Sequence, residues 1–532
     1  MKKINIVLTV ILLITLLGGC GGGSTSAEDH FQGSSNASSA ERQDALSEAD
    51  GTPSLTTGRY QDEDGGSEKY LAIDENDDIS ADEESLITFS LKVDTASYSN
   101  VVRYIESGNT PPADAVKVEE MINYFNYDGK MEFNDEPFAI YTEVGPSPFD
   151  EDNLLAFVRV KTEDLDKEDL PDSNLVFLID TSGSMDSYDK LPLLKEAFGL
   201  LVENLDEDDR VSIVTYAGSS SVVLDSESGA NKKSILKAID RLSAGGSTAG
   251  ADGILTAYKL AEKNFMQDGN NRIILATDGD FNVGISNTDD LAELVSEKRG
   301  NGIYLSILGF GMGNIRDDIM ETLSKNGNGN YSYINSLSTA NKVLVEELAS
   351  NVFTIADDVK AQIEFNPENV KSFRLIGYEN RMLDNEDFED DRKDAGEIGI
   401  GTDVVIMVEI TPRNQASQSL KYSAEKPVET SSGEFADELF EVRIRYKDPG
   451  DSESKLMLKP VTIDDIKKNN SGDFNFAASV AAFGHILRDS EHAGGITIDE
   501  VLSMAEDSLG KDAGGYRSEH LDVLLDYKRL MR

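Results

Sequence analysis

The sequence predicts an α/β protein built on a doubly wound, mainly parallel sheet, with a flanking β-rich region and a small helical C-terminal domain. Continuous apolar stretches such as LVFLID, RIILATD and IYLSILGFG are typical of strands buried on both faces. Amphipathic stretches such as KLPLLKEAFGLLVENL alternate with these strands, as they do in α/β folds. After residue 351, segments such as DVVIMVEI favour antiparallel strands, and helical periodicity returns near residue 473.

The N-terminus has the features of a lipoprotein signal peptide over residues 1–20. A basic MKK precedes INIVLTVILLITLL, an apolar stretch that is short for a membrane span. Leu-Gly-Gly before Cys20 resembles a bacterial lipobox, which implies lipidation of Cys20 and anchoring to the cell membrane on its extracytoplasmic face. The alternative is an accidental cysteine behind an ordinary signal peptide. Because Cys20 is the single cysteine, an intrachain disulfide is excluded.

Residues 21–86 differ in composition from the rest of the chain. They are rich in Gly, Ser and acidic side chains, so we expect a disordered, self-repelling stalk. The whole chain of 532 residues carries 49 basic and 99 acidic residues, a formal net charge of −50. Such a surface repels nucleic acid, which excludes nucleic-acid partners. We interpret this acidic composition as an adaptation for solubility in a salty or alkaline environment. The alternative interpretation is a surface that recruits divalent counterions.

The folded part divides into four regions by the spacing of its apolar residues. The predicted regions are an N-terminal region at 87–165, the doubly wound domain at 173–351, a β-rich domain at 352–472 and a helical C-terminal region at 473–532. Within the doubly wound domain, SSVVLD follows the preceding strand almost directly, so we expect an antiparallel edge strand. In the C-terminal region, Thr497 and Ser518 are the predicted helix N-caps.

Oxygen-bearing side chains follow three separate elements of the doubly wound domain. They are Asp180, Ser182 and Ser184 after the first strand, Thr248 before the third helix, and Asp278 after the fourth strand. Because open parallel sheets bind ligands at the carboxyl ends of their strands, we expect these side chains at one edge. Hydroxyls and carboxylates without His or Cys suit Mg²⁺, Mn²⁺ or Ca²⁺ and not Zn²⁺. The sequence therefore predicts a divalent-cation site, with Mg²⁺ as the expected ion.

This pattern resembles the metal-ion-dependent adhesion site of von Willebrand factor type A (VWA) domains. D-x-S-x-S after a buried strand, a distant Thr and a later Asp match the five residues without departure. The resemblance implies that the hydroxyls bind the ion directly and that the acids bind it directly or through water. Segments such as FSLKVDTASYSNVVRYI and GYRSEHLDVLLDYKRL resemble the regions that accompany this domain in a bacterial VWA lipoprotein family, across nearly all of residues 87–530.

The resemblance implies a binding protein and not an enzyme. A protein partner would offer an acidic side chain to the metal, because the hydroxyl-rich site leaves the ion short of negative charge. One alternative is an envelope assembly or scaffold protein in which the flanking domains bind and the metal site regulates. A Mg²⁺-dependent hydrolase is less favoured. A Ser-His-Asp nucleophile is unsupported because the histidines fall in the stalk and the C-terminal helices, at His30, His485, His492 and His520.

Overall fold

The computed structural model describes most of the chain from residue 68 onward. The described ranges are 68–134, 136–165, 170–246, 250–279, 288–393, 395–413 and 435–532. They lie within a single unit of the chain, Gly58–Arg532. Cys20, the predicted signal peptide and most of the predicted stalk lie outside the described residues.

The strands and helices follow the order expected from the apolar pattern. The strands are β1 Ile79–Ser80, β2 Leu86–Ser90, β3 Phe138–Pro146, β4 Leu154–Thr162, β5 Ser173–Asp180, β6 Arg210–Tyr216, β7 Ser220–Ser228, β8 Asn270–Thr277, β9 Tyr304–Phe310, β10 Tyr331–Ile334, β11 Thr354–Phe365, β12 Val370–Ile376, β13 Met382–Leu383, β14 Ile398–Gly399, β15 Asp403–Pro412, β16 Glu438–Lys447 and β17 Ser454–Thr462. The helices are α1 Ala96–Glu106, α2 Val118–Ile122, α3 Leu191–Glu203, α4 Lys232–Asp240, α5 Gly250–Lys263, α6 Thr288–Arg299, α7 Asp317–Asn326, α8 Leu337–Asn341, α9 Leu348–Val352, α10 Gly472–Arg488, α11 Ile498–Asp507 and α12 Tyr516–Leu530.

The doubly wound domain contains a sheet in the order β10-β9-β8-β5-β6-β7. Neighbouring strands are parallel except for β7, which pairs antiparallel with β6 at the edge. This confirms the predicted fold class and the predicted edge strand. Successive side chains of β5 point to opposite faces: Phe177 packs with α3 and α4, whereas Leu178 packs with α5 and α7. Burial on both faces explains why the central strands are apolar throughout.

Two further sheets form a sandwich. One runs β1-β12-β15-β4-β3 and the other β13-β2-β11-β16-β17. Their inner faces share one apolar core, and helices α1, α2, α10, α11 and α12 cover the outer face of the first sheet. Strands that precede the doubly wound domain pair with strands that follow it, as β2 does with β11 and β4 with β15. The doubly wound domain is therefore inserted between the two halves of the sandwich.

The predicted stalk boundary at residue 86 is wrong, because residues 68–86 lie against the folded chain. Glu68 accepts hydrogen bonds from the Arg103 guanidinium at 2.8 and 3.0 Å and from the Gly313 N–H at 2.7 Å. The Lys69 N–H donates to the Ile315 carbonyl at 2.9 Å. These polar contacts hold a segment whose acidic composition gives no apolar signal of folding.

A buried cluster of charges joins the doubly wound domain to both flanking regions. The Lys117 ammonium, ahead of α2, lies 2.9 Å from Asp317 and 2.8 Å from Glu321, both on α7. Arg381, after β12, lies 2.7 Å from Asp94 and 3.8 Å from Glu321. All these side chains are buried. Each charge is therefore stable only while its partners, which come from different regions, stay in place.

Of the two helix N-caps predicted from the sequence, the structure confirms one. Thr497 caps α11 in a capping box with Glu500, which confirms that prediction. The prediction for Ser518 is wrong: α12 begins at Tyr516 behind Gly515, and the Ser518 hydroxyl donates to Asp512 at 2.6 Å. In the part of the chain that the structure describes, no helix has the length and apolarity needed to cross a bilayer.

Candidate functional site: the carboxyl edge of the parallel sheet

The first part of the site is the turn after β5. Asp180 is fully buried, and its Oδ1 accepts a hydrogen bond from the Ser182 N–H at 2.8 Å. This bond folds the chain back, so that the Ser182 and Ser184 hydroxyl oxygens lie 2.9 Å apart. Ser182 is buried, whereas Ser184 is exposed to solvent. The turn therefore presents a carboxylate and two hydroxyls at one point of the sheet edge.

Asp278 supplies the second carboxylate. It follows β8, which is the parallel neighbour of β5, with Ile179 level with Ala276. The Thr277 hydroxyl donates to Asp180 Oδ2 at 3.3 Å, and Asp278 is fully buried. The chain leaves β5 toward β6 and leaves β8 toward β9, so these strands flank the topological switch point of the sheet. Ligands of doubly wound sheets bind in the crevice at this point.

The two carboxylates influence each other electrostatically. Burial raises the pKa of Asp180 to about 6; the Ser182 N–H opposes this rise, and the negative charge of Asp278 adds to it. Two buried acids of like charge favour a bound cation, because a cation offsets both their repulsion and their loss of hydration.

The fifth predicted residue, Thr248, lies outside the described residues. The loop that leads to it is joined to the first turn by two backbone hydrogen bonds. The Gly183 N–H donates to the Gly246 carbonyl at 3.1 Å, and the Gly245 N–H donates to the Thr181 carbonyl at 2.8 Å. The chain is thus held beside Ser182 and Ser184 two residues before Thr248.

Lys190, the residue just before α3, belongs to this edge of the sheet although the sequence pattern does not indicate it. Its ammonium lies 2.8 Å from Asp278 Oδ2 and 3.4 Å from the Asn314 side-chain oxygen, and the Lys190 side chain is buried. A lysine ten residues after Asp180 carries no local signal of this contact. Only the three-dimensional fold brings the start of α3 beside the end of β8.

The four described residues of the predicted site fit a hard divalent cation. They offer carboxylate and hydroxyl oxygens, which are the ligands that Mg²⁺ and Ca²⁺ prefer. Across the described ranges, no group of three or more His, Cys, Asp or Glu side chains could hold a metal. The predicted set differs from such a group because it combines two acids with three hydroxyls. The metal-binding role of these residues stays a prediction.

Exposed apolar side chains surround the same edge of the sheet. Tyr188, four residues after Ser184, is 82% exposed, and Met312, in the loop after β9, is 43% exposed. Both line a cleft of about 170 Å³ that also includes Tyr333 and Arg103. Large exposed aromatic and sulfur side chains are typical of protein-binding surfaces.

The histidines of the described chain lie away from this edge. His485 belongs to α10 and His520 to α12, where both are buried in the helical layer, and His492 lies in the turn between α10 and α11. None contacts Ser182 or Ser184 within the described residues. Among the described residues, therefore, no histidine is placed to activate either serine as a nucleophile.

The fold and the site define a VWA-domain protein. Family models match residues 174–347 as von Willebrand factor type A domain, residues 64–156 as von Willebrand factor, and residues 350–530 as the C-terminal region of uncharacterized protein YfbK. The chain is 42% identical over 470 residues to uncharacterized protein YfbK of Escherichia coli, covering 86% of this chain and 81% of that protein. The chain belongs to this family of bacterial VWA-domain proteins.

Two other similar proteins share parts of the chain. Uncharacterized protein sll0103 of Synechocystis is 32% identical over 194 residues, which cover 36% of this chain and 44% of that protein. A solved structure, von Willebrand factor type A from Catenulispora acidiphila, is 17% identical with a TM-score of 0.40 and covers 74% of this chain and 91% of that chain. VWA domains mediate protein–protein interactions and are generally not enzymes.

Proposed function

We propose that this protein is anchored by a lipid at Cys20 on the extracytoplasmic face of the membrane and binds a protein partner through a divalent cation, most favourably Mg²⁺. The observation that carries the proposal is the convergence of Asp180, Ser182, Ser184 and Asp278 at the switch point of the sheet. Thr248 is the proposed fifth ligand. The protein acts by binding and not by catalysis.

The chemistry of the site favours an acidic side chain on the partner. A dication held mainly by neutral hydroxyls has an open coordination position that attracts an anionic oxygen. Ser184 is exposed, so a partner can reach this position from solvent. Tyr188 and Met312 extend the contact surface beside it and can exclude water from the charged contact.

The first experiment compares two serines of one turn. Ser184→Ala removes a hydroxyl of the site, whereas Ser187→Ala removes an exposed hydroxyl three residues away. We expect Ser184→Ala to weaken Mg²⁺ binding at least tenfold in calorimetric titration of the purified protein, and Ser187→Ala to leave it unchanged. Equal affinities for both variants, or no Mg²⁺ binding by the unaltered protein, would contradict the proposal.

The second experiment tests the partner. Protein immobilised through its C-terminus is exposed to membrane extract with Mg²⁺ or with EDTA. We expect capture of the partner only with Mg²⁺, and loss of capture in the Ser184→Ala variant. Recovery of the same proteins in both conditions would rule out metal-dependent capture.

One structural feature favours a second candidate function, that of an envelope scaffold. The two sheets of the sandwich join the flanking regions to each other, and the buried charges of Lys117 and Arg381 join these regions to the doubly wound domain. In this alternative the flanking regions bind the partner and the metal site regulates them. Capture would then persist in EDTA and in Ser184→Ala, with altered affinity. A Mg²⁺-dependent hydrolase would instead show hydrolysis that is lost in Asp180→Ala.

A further inference from the structure

Lys190 reaches Asp278 through a passage that Gly311 leaves open. A Cβ atom at position 311 would lie 2.2 Å from Lys190 Cε and 2.4 Å from its Cγ, so any other residue would displace the lysine stem. Gly311 also has a φ of +73°, which disfavours a side chain. The Lys190 ammonium ends 2.8 Å from Asp278 Oδ2. The absence of a side chain at position 311 therefore allows Lys190 to contact Asp278.

The two acids of the site consequently differ. Asp278 Oδ2 is held by a full positive charge, whereas Asp180 accepts hydrogen bonds from the neutral Ser182 N–H and Thr277 hydroxyl. The ammonium opposes any second cation that approaches Asp278. It also reduces the negative charge of the ionised site, from a net −2 for the two acids alone to −1.

We propose that Lys190 is a positioning residue that competes with the divalent cation for Asp278 and thereby makes the site depend on the partner's carboxylate. The inference rests on the proposed function. A dication added to two carboxylates gives a net charge of zero, which leaves little attraction for a further anion. With Lys190 present, the same sum is +1, and one carboxylate from the partner neutralises it. Lys190 weakens the binding of the metal alone and strengthens the requirement for an acidic partner.

Whether removal of Lys190 strengthens or weakens metal binding distinguishes this role from a purely structural one. If Lys190 only holds Asp278 in place, its removal disorders the acid and weakens metal binding. If Lys190 competes with the metal, its removal returns the full charge of Asp278 to the site and strengthens metal binding. A unit positive charge about 5 Å from a dication changes the affinity by at least about 10-fold even at the dielectric constant of water, and by more where the charges are buried.

The experiment uses the full chain and Mg²⁺ as the probe. We expect Lys190→Met to bind Mg²⁺ at least about 10-fold more tightly than the unaltered protein in calorimetric titration, and Lys190→Arg to bind with unaltered affinity. Without metal, in EDTA, Lys190→Met is expected to melt at a lower temperature, and Mg²⁺ should raise its melting temperature more than that of the unaltered protein. Lys190→Gln, which keeps a hydrogen-bond donor, serves if Lys190→Met does not fold.

The outcomes distinguish the two proposals. Unchanged or weaker Mg²⁺ binding by folded Lys190→Met or Lys190→Gln overturns the competition, while the proposed metal site stands if the unaltered protein binds Mg²⁺. Absence of Mg²⁺ binding in the unaltered protein and in every variant overturns the proposed function itself. Tighter binding in both neutral variants, with Lys190→Arg unchanged, supports the role of Lys190.

Discussion

Replacing Lys117 by methionine should lower the free energy of unfolding, because it removes one positive charge from the buried cluster that joins the doubly wound domain to its flanking regions. The Lys117 ammonium lies within 3 Å of Asp317 and Glu321 and 3.5 Å from Glu120, and all four side chains are buried. At an effective dielectric constant near 20, each close contact supplies about 6 kcal/mol of gross attraction, which is largely offset by the loss of hydration. Removing one partner of a buried ion pair typically costs about 3–5 kcal/mol.

The loss of stability in Lys117→Met should depend on pH because Glu120 lies in the same cluster. Burial raises the pKa of Glu120 to about 8, even though Lys117 opposes the rise. An acid with a raised pKa in the folded state destabilises the fold as pH rises from its ordinary value of 4.5 toward that pKa. Without Lys117, nothing from that ammonium offsets the buried charge of Glu120, so the loss of stability with rising pH becomes larger. We therefore expect Lys117→Met to lose more free energy of unfolding at pH 8 than at pH 6.

The assay is urea denaturation of the purified protein at both pH values. The control is Lys161→Met, the same chemical change at a lysine that lies 2.9 Å from Asp164, a pair in which Asp164 is 71% exposed. The control should lose less than about 1 kcal/mol at either pH. A Lys117→Met variant that unfolds at the same urea concentration as this control would refute the assignment of a stabilising role to the buried cluster.

Two further predictions concern a histidine and a glycine. Burial lowers the pKa of His520 from 6.5 to about 3, so the unfolded chain takes up a proton that the folded chain does not, and stability present above pH 6.5 is lost as the pH falls toward 3. His520→Gln should therefore lose about 2 kcal/mol less than the unaltered protein between pH 7 and pH 5 in chemical denaturation, and equal losses in the two proteins would contradict this assignment. Gly279→Ala should be less stable than Gly313→Ala by about 1–3 kcal/mol, because both glycines have positive φ but only a Cβ at 279 would meet backbone, 2.6 Å from the Asn314 carbonyl. Equal melting temperatures for the two alanine variants would contradict this packing.

The sequence was most informative where a pattern depends on nearby residues. The apolar run ending at Asp180 and the run leading to Asp278 identify buried parallel strands, and the switch-point rule then places both acids at one edge. Thr497 and Glu500 form a capping box within four residues, so the start of that helix could also be predicted from the sequence. These features are local or follow from a general rule of sheet topology.

Features that depend on distant partners could not be predicted from the sequence. Alternating apolar residues identify β4 and β15 as strands, but the pattern does not say that they pair across the inserted domain. Lys190 has no neighbour in sequence that indicates Asp278 as its partner. Residues 68–86 are held by polar contacts such as that of Glu68 with Arg103, and their composition resembles that of an unfolded segment.

The insertion of the doubly wound domain has a consequence for synthesis of the chain. Leu154 of β4 pairs with Ile410 of β15, so the two halves of that sheet emerge from the ribosome about 250 residues apart. At 5–20 residues per second, the early strands wait roughly 12–50 s for their partners. During this interval the doubly wound domain can complete its own sheet, because all its strands lie between those halves. The exposed edge of β4 is then a target for chaperones or for aggregation until the late strands arrive.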